Sequence, residues 1–302
     1  MSQRVVLSII TPTYNRGGLL KNCFLSLCRQ TDFRFEWIIV DDGSTDDTET
    51  VAAQFRAEAP PFDVIYVQKE NGGKHTALNA SHPYVRGKYV LMLDSDDTLT
   101  EDAVALVLEH WARWESRPEI GLVTFLKGAD REHPNCYVKD ENTPVDIQSC
   151  PRICQISSDA CEVIRTELFL RYPFPVFPGE RFLSEGVLWN RVGMTHQCVY
   201  VNTVIYLCAY LEGGLTKSGR AMRIRNPRGG MCASNLNMSN KNRLKKRIKA
   251  GVLYTCYGCF AKQSPMRMAA ACDHKWIMWL CLPVGWLLFL LWKTKFRRNH
   301  SL

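Results

Sequence analysis

The chain has 302 residues, 46% of them hydrophobic and 23% charged, with a formal net charge of +8. That length allows one large or two small domains with a real core, and the composition excludes a disordered or collagen-like chain. The charge is uneven: residues 217–302 carry 18 Lys/Arg against one acid, Asp273, whereas residues 1–216 carry 20 basic and 29 acidic residues, so the two stretches stand at +17 and −9.

Thirteen cysteines follow no repeated spacing, and the Cys256-x-x-Cys259 pair has no second pair at zinc-finger distance. This pattern fits a reducing compartment better than a secreted disulfide scaffold. Met1 to Arg4 leads straight into an apolar run, so no signal peptide is expected.

In chain order, residues 5–10 form a continuous apolar run that predicts a buried parallel strand. Thr11-Pro-Thr-Tyr-Asn-Arg-Gly-Gly18 breaks it, and residues 19–30 have helical spacing. Residues 37–40 predict a second strand, ending in Asp41-Asp-Gly-Ser-Thr-Asp-Asp-Thr48, and a helix follows to about residue 59. A third strand at 64–67 ends in Gln68-Lys-Glu-Asn-Gly-Gly-Lys-His75, with a short helix over 76–81. The fourth strand, 89–93, runs into Asp94-Ser-Asp-Asp97. A helix at 101–114 and a fifth strand at 120–126 complete the alternation. This βαβ order predicts an α/β fold with a mostly parallel, doubly wound sheet.

Residues 127–160 read as a long, partly irregular connection. Residues 160–171 read as helical, 180–189 as the start of another helix, and 198–210 as strand-rich. Residues 217–240 read as a basic loop or linker, and 241–259 as a basic helix. Residues 276–292 carry no charge.

In a doubly wound sheet the strand ends converge on one edge, where ligands bind. Four consecutive ends carry unusual residues: Tyr14/Asn15, Asp41/Asp42, Asn71 to His75, and Asp94 to Asp97. A nucleotide diphosphate needs an aromatic face and a hydrogen-bond acceptor for its base, and a divalent ion for its phosphates. Tyr14, Asp41 or Asp42, and the Asp94/Asp96 pair supply groups of those kinds, and carboxylate oxygens select Mg²⁺ or Mn²⁺. Lys74 sits in a Gly-rich turn from which it can reach phosphates. Taken one at a time, these residues also fit plain turns, helix caps and solvated loops. No Walker-type or G-x-G-x-x-G motif is present, which argues against ordinary kinases and NAD(P) enzymes.

Four motifs in order, Ser8-Ile-Ile-Thr-Pro-Thr-Tyr-Asn-Arg16, Val40-Asp-Asp-Gly-Ser-Thr-Asp-Asp-Thr48, Asn71-Gly-Gly-Lys with Ala77-Leu-Asn79, and Leu93-Asp-Ser-Asp-Asp97, resemble the inverting glycosyltransferases of family 2, with the GT-A fold. The resemblance covers residues 5–126 closely and continues more loosely to 216. It implies a nucleotide-sugar pocket formed by Thr11, Tyr14, Asp41, Asp42, Lys74, Asn79, Asp94 and Ser95. It also implies Asp94 and Asp96 as ligands of Mn²⁺ or Mg²⁺, with Asp96 the direct one. The family's catalytic base is an acid on a helix start in the second half. Arg181-Phe-Leu-Ser-Glu-Gly-Val-Leu-Trp189 resembles that segment, with Glu185 as the base and Glu180 as the fallback. Gly186 stands where many members have a second acid. Tyr210 and Leu211-Glu-Gly-Gly-Leu-Thr216 resemble the segment that closes over the acceptor. The expected organisation is therefore a glycosyltransferase domain over 1–216, divided at 126, followed by a basic tail over 217–302.

The tail carries its own expectation. Residues 276–292 have Trp at both ends and Lys/Arg beyond them, as membrane-interface segments do. As a helix they would measure about 25 Å, short of a ~30 Å hydrocarbon core. A shallow or re-entrant anchor on the cytoplasmic face is expected, ahead of a single span and of a buried core helix, with 241–298 as the contact surface and a lipid-linked glycan as acceptor. A basic patch without a nucleic-acid module gives no reason to expect nucleic acid. A processive synthase would bring several spans and a Gln-x-x-Arg-Trp motif, and neither is present. A non-catalytic nucleotide-sugar-binding protein would have lost Asp94, Asp96 or Glu185, and all three are there.

Overall fold

A computed structural model of the chain describes residues 4–148, 152–154, 159–208 and 219–299. The first half alternates as expected except for a short, unexpected strand, β5, after the Asp94–Asp97 turn: β1 (Leu7–Thr13), α1 (Gly17–Cys28), β2 (Phe35–Asp41), α2 (Thr48–Ala57), β3 (Asp63–Gln68), α3 (Lys74–Ala80), β4 (Tyr89–Met92), β5 (Thr98–Leu99), α4 (Ala103–Trp114) and β6 (Ile120–Gly128). Then come β7 (Cys136–Val138), β8 (Pro144–Val145), β9 (Arg152–Cys154), β10 (Ala160–Arg165), α5 (Thr166–Arg171), α6 (Gly186–Val192) and β11 (Gln197–Leu207). The carboxyl-terminal part is helical: α7 (Gly219–Arg225), α8 (Pro227–Asn237), α9 (Leu244–Phe260), α10 (Pro265–Ala270) and α11 (Lys275–Asn299).

Among the described residues the main sheet has the order β3-β2-β1-β4-β10-β6-β11-β5, with β8 added beside β11. Strands β1 to β4, β6 and β11 run in one direction, and β10 runs against both of its neighbours, β4 and β6. The sheet is thus mixed. Residues 160–165, expected to be helical, form β10. A short apolar run fits either state, and the gap between β4 and β6, where Val163 and Ile164 are fully buried, decides it.

The chain divides into two compact units: Met1–Pro173 with Thr195–Tyr210, and Phe174–Met194 with Leu211–Leu302. It leaves the first unit at residue 174 and returns to donate β11. In the first unit, α1 and α2 pack an aromatic cluster of Phe24, Phe55, Phe62 and Trp37 on the sheet, with the Phe24 and Phe55 rings 4.3 Å apart. Glu36 is fully buried on β2. It accepts from Ser8 Oγ at 2.6 Å and from the Arg86 backbone N–H at 2.7 Å, which ties β1, β2 and the approach to β4 together.

In the second unit, the stretch expected to be a loop, 217–240, contains α7 and α8. Its Gly, Ser and Asn have low helix propensity, but packing needs small residues there. A Cβ on Gly229 would lie 2.8 Å from the Phe182 carbonyl, and one on Gly230 would lie 2.7 Å from the Tyr257 ring. Pro227 opens α8, where its missing N–H costs nothing.

Candidate active site

Strand register brings the functional loops to one edge. Thr13 pairs with Asp41, Asp41 with Gln68, and Ile10 with Met92. Tyr14/Asn15, Asp42, Lys69 and Asp94 therefore leave the sheet side by side. The strand order reverses between β1 and β4, the point at which an open α/β sheet forms its crevice.

The loops are cross-braced. Asn15 has a positive φ of 51°, a conformation that Asn tolerates. Its N–H donates to Ser44 Oγ at 2.8 Å, and its Oδ1 accepts from the Thr45 N–H at 2.8 Å. This leaves Tyr14 half exposed at the rim. Asp41 is fully buried, accepting from the Ser44 N–H at 2.8 Å and from the Tyr66 hydroxyl at 2.7 Å. Asp42 braces the Gly-rich loop. One of its oxygens takes Lys69 Nζ at 2.7 Å and the Gly72 N–H at 3.0 Å, and the other takes the Gly73 N–H at 2.6 Å. Gly73 needs its positive φ of 94°, and a Cβ on Gly43 would come within 2.9 Å of the Asn71 nitrogen. His75 is buried beneath this loop, and burial lowers its pKa.

After β4, Asp94-Ser-Asp-Asp97 folds as a turn closed by the Asp97 N–H donating to the Asp94 carbonyl at 3.1 Å. Each outer carboxylate meets a cation: Lys74 bonds to Asp94, and Arg16 lies 2.9 Å from Asp96. Burial alone would raise the Asp94 pKa, but Lys74, Lys127 and Arg16 outweigh it and hold Asp94 below its ordinary value. Ser95 is buried inside the turn. Tyr206, fully buried on β11, accepts the Asp94 N–H at 2.9 Å and also bonds to Asp97. Lys127 Nζ sits 3.8 Å from the centre of the Tyr206 ring. Asp97 is pushed up to about 6, chiefly by burial.

Among the described residues no group of three or more His, Cys, Asp or Glu side chains forms a metal cluster. The donor set still suits Mg²⁺ or Mn²⁺. Asp94 and Asp96 are hard oxygen donors on one turn, both partly exposed, and these ions usually take the rest of their ligands from phosphate and water.

Thr11 is fully buried in β1, and its hydroxyl accepts from Trp37 Nε1 at 2.9 Å. Asn79 is half buried on the last turn of α3. Tyr210 and residues 211–216 lie outside the described residues. In the second unit, Glu185 occupies the position before α6, where its carbonyl accepts from the Leu188 N–H at 2.8 Å. Glu180 accepts from the N–H groups of Arg228 and Gly229, both at 2.8 Å, and so caps α8. Sequence reasoning missed Arg16, Lys69, Lys127 and Tyr206. Lys127 carried a usable signal, as a lone charge closing the apolar run of β6. Tyr206 carried none, because only strand register places its hydroxyl beside Asp94.

Residues 8–167 match the family model described as glycosyl transferase family 2. Among curated proteins, the chain is 24% identical to glycosyltransferase GlyG of Streptococcus pneumoniae over 225 residues, which is 70% of this chain and 73% of GlyG. It is 33% identical to the minor teichoic acid biosynthesis protein GgaB of Bacillus subtilis over 152 residues, 48% of this chain but 16% of that longer protein. Among solved structures, it resembles S. aureus TarS 1-349 in complex with UDP-GlcNAc, with a TM-score of 0.62 and 16% identity over 98% of this chain and 93% of that one. It also resembles mannosyltransferase PcManGT from Pyrobaculum calidifontis in complex with GDP-Man and Mn2+, with a TM-score of 0.57 and 18% identity over 96% and 84%. At these identities the structures establish a GT-A-like fold.

Proposed function

The chain belongs to glycosyl transferase family 2, and on that premise we propose that it moves one sugar, with inversion, from a nucleoside-diphosphate sugar to a hydroxyl of a lipid-linked glycan in surface-polysaccharide assembly. One observation carries the donor half of this reading. The turn acids Asp94 and Asp96 and the cations Lys74, Arg16 and Lys127 act on one another at a single carboxyl-terminal sheet edge. Such a site suits a diphosphate with a divalent ion. Tyr14 would stack on the base, with Asp42 beside it and Lys74 reaching the phosphates. UDP is our preferred nucleotide; TarS, the solved structure with TM-score 0.62, carries UDP-GlcNAc.

Asp94 and Asp96 would hold Mn²⁺ or Mg²⁺, which, when bound, neutralises charge on the departing diphosphate. Glu185 would accept the proton of the acceptor hydroxyl, the more so because the Glu180 carboxylate is committed to capping α8. The acceptor oxygen then bonds to the anomeric carbon as the bond from that carbon to the diphosphate oxygen breaks on the opposite face. The polysaccharide context draws on GgaB, named for teichoic acid biosynthesis. The acceptor would lie at the cytoplasmic face of the inner membrane, reached through a membrane surface over 241–298.

Donor hydrolysis over a panel of UDP-, GDP- and dTDP-sugars with Mn²⁺ tests the reading. One donor should turn over well above the others. If none binds or turns over, the transferase site is wrongly placed.

A further inference from the structure

From Trp276 to Trp292, helix α11 is apolar around its whole circumference, with Pro283 inside it, yet one side of it is exposed. Ile277, Met278, Cys281 and Gly285 face inward against α9. Contact there is close: a Cβ on Gly285 would fall 1.9 Å from Thr255 Oγ1, and one on Gly251 would fall 2.7 Å from Ile277. The other side exposes Trp276, Trp279, Leu280, Trp286, Leu287 and Leu291, with Leu287 55% accessible. Their spacing of three, four and seven residues places them on one face about half a helix turn wide.

Cations bracket this face at both ends. Arg247 on α9 lies 5.5 Å from the Trp276 ring at the start of α11. At its far end, Lys293 is exposed and lies 5.5 Å from the Phe289 ring, and Lys295 is exposed two residues on. Lys245, Lys246 and Lys249 are exposed on the opening turns of α9, beside the start of α11. From 241 to 299 the sequence holds one acidic residue, Asp273. An apolar strip with aromatic edges and cations at both ends complements an anionic lipid surface.

We propose that α11 lies in the plane of an anionic bilayer, its exposed face sunk to the headgroup–acyl boundary and both cationic ends at the same headgroup level. This rests on the membrane-surface reading above and fixes the orientation that reading leaves open. A spanning orientation would strip α11 from α9 or carry α9, with the polar helix α8 packed on it, into hydrocarbon, and each is unfavourable.

The full-length chain is floated with vesicles of phosphatidylcholine alone and with vesicles enriched in phosphatidylglycerol. Binding to the anionic vesicles is expected, along with a loss of about tenfold or more in a Leu280→Glu/Leu287→Glu variant, whose circular dichroism should stay unchanged. Depth is read on folded protein by comparing wild type with Trp286→Phe in brominated lipids. An in-plane helix gives a Trp286 signal quenched most by bromines near the headgroup. Strongest quenching by bromines at the chain ends overturns the in-plane placement and leaves membrane binding standing, as does flotation that the Glu pair does not weaken. Failure of the wild type to float overturns the membrane reading itself. A dimer in vesicle-free solution that the Glu pair dissociates, without flotation, assigns this face to a second copy and overturns the proposal.

Discussion

Each acid of the Asp94–Asp97 turn does something different. Asp94 is anchored through its backbone by Tyr206 and kept ionised by Lys74, Lys127 and Arg16. Asp96, on the same turn, pairs with Arg16 at 2.9 Å. Asp96→Asn keeps the shape and removes the charge. Turnover should fall about 100-fold or more while the melting temperature holds, in line with several kcal/mol of electrostatic stabilisation lost from the transition state. The two candidate bases separate by a paired experiment. Glu185→Gln should abolish turnover with donor affinity retained in calorimetry. Glu180→Gln should leave turnover largely intact but cost about 1 kcal/mol of stability in denaturant unfolding, because it weakens a helix cap. If Glu180→Gln is the variant that loses turnover, the roles are exchanged.

At the scale of elements, glycines decide how closely α9 and α11 approach. Gly285→Val would drive a side chain into Thr255. Overpacking of this kind costs roughly 1–3 kcal/mol, and far-UV circular dichroism should show earlier melting of the helical unit. No change in melting would mean that α11 is not held on α9. Removing α11 at Lys275 is a poor test of membrane binding, since it uncovers Gly251 and Tyr257 on α9 at the same time as it removes the exposed strip. The point substitutions on its exposed face separate these effects.

For the whole molecule, buried histidines set an acid limit. His82 and His110 both have lowered pKa values, chiefly because burial penalises the imidazolium. The native state therefore prefers them neutral. Above 6.5, their ordinary value, neither affects stability. As pH falls below it, the unfolded chain takes up protons first and stability drops. Melting temperature should decline from about pH 6.5 downward, and less steeply in His110→Phe, which keeps the contact with Phe125. An equal slope in that variant would show that His110 does not contribute.

The sequence by itself determined the alternation of strands and helices through residue 126, save the short β5, together with the convergence of four strand ends and most of the acids and Lys74 at the edge. Apolar runs and turn residues are local signals, and a parallel sheet converts their order into position. Tertiary structure alone decided what has no local signature. It made 160–165 a strand, because the gap between β4 and β6 outweighs an ambiguous apolar pattern. It turned Thr11 inward to Trp37 and brought Lys127 and Tyr206 to Asp94 from strands distant in sequence. It committed Glu180 to a helix cap, and it divided α11 into a packed face and a free one. In each case the deciding partner lies far along the chain, where periodicity and propensity carry no information.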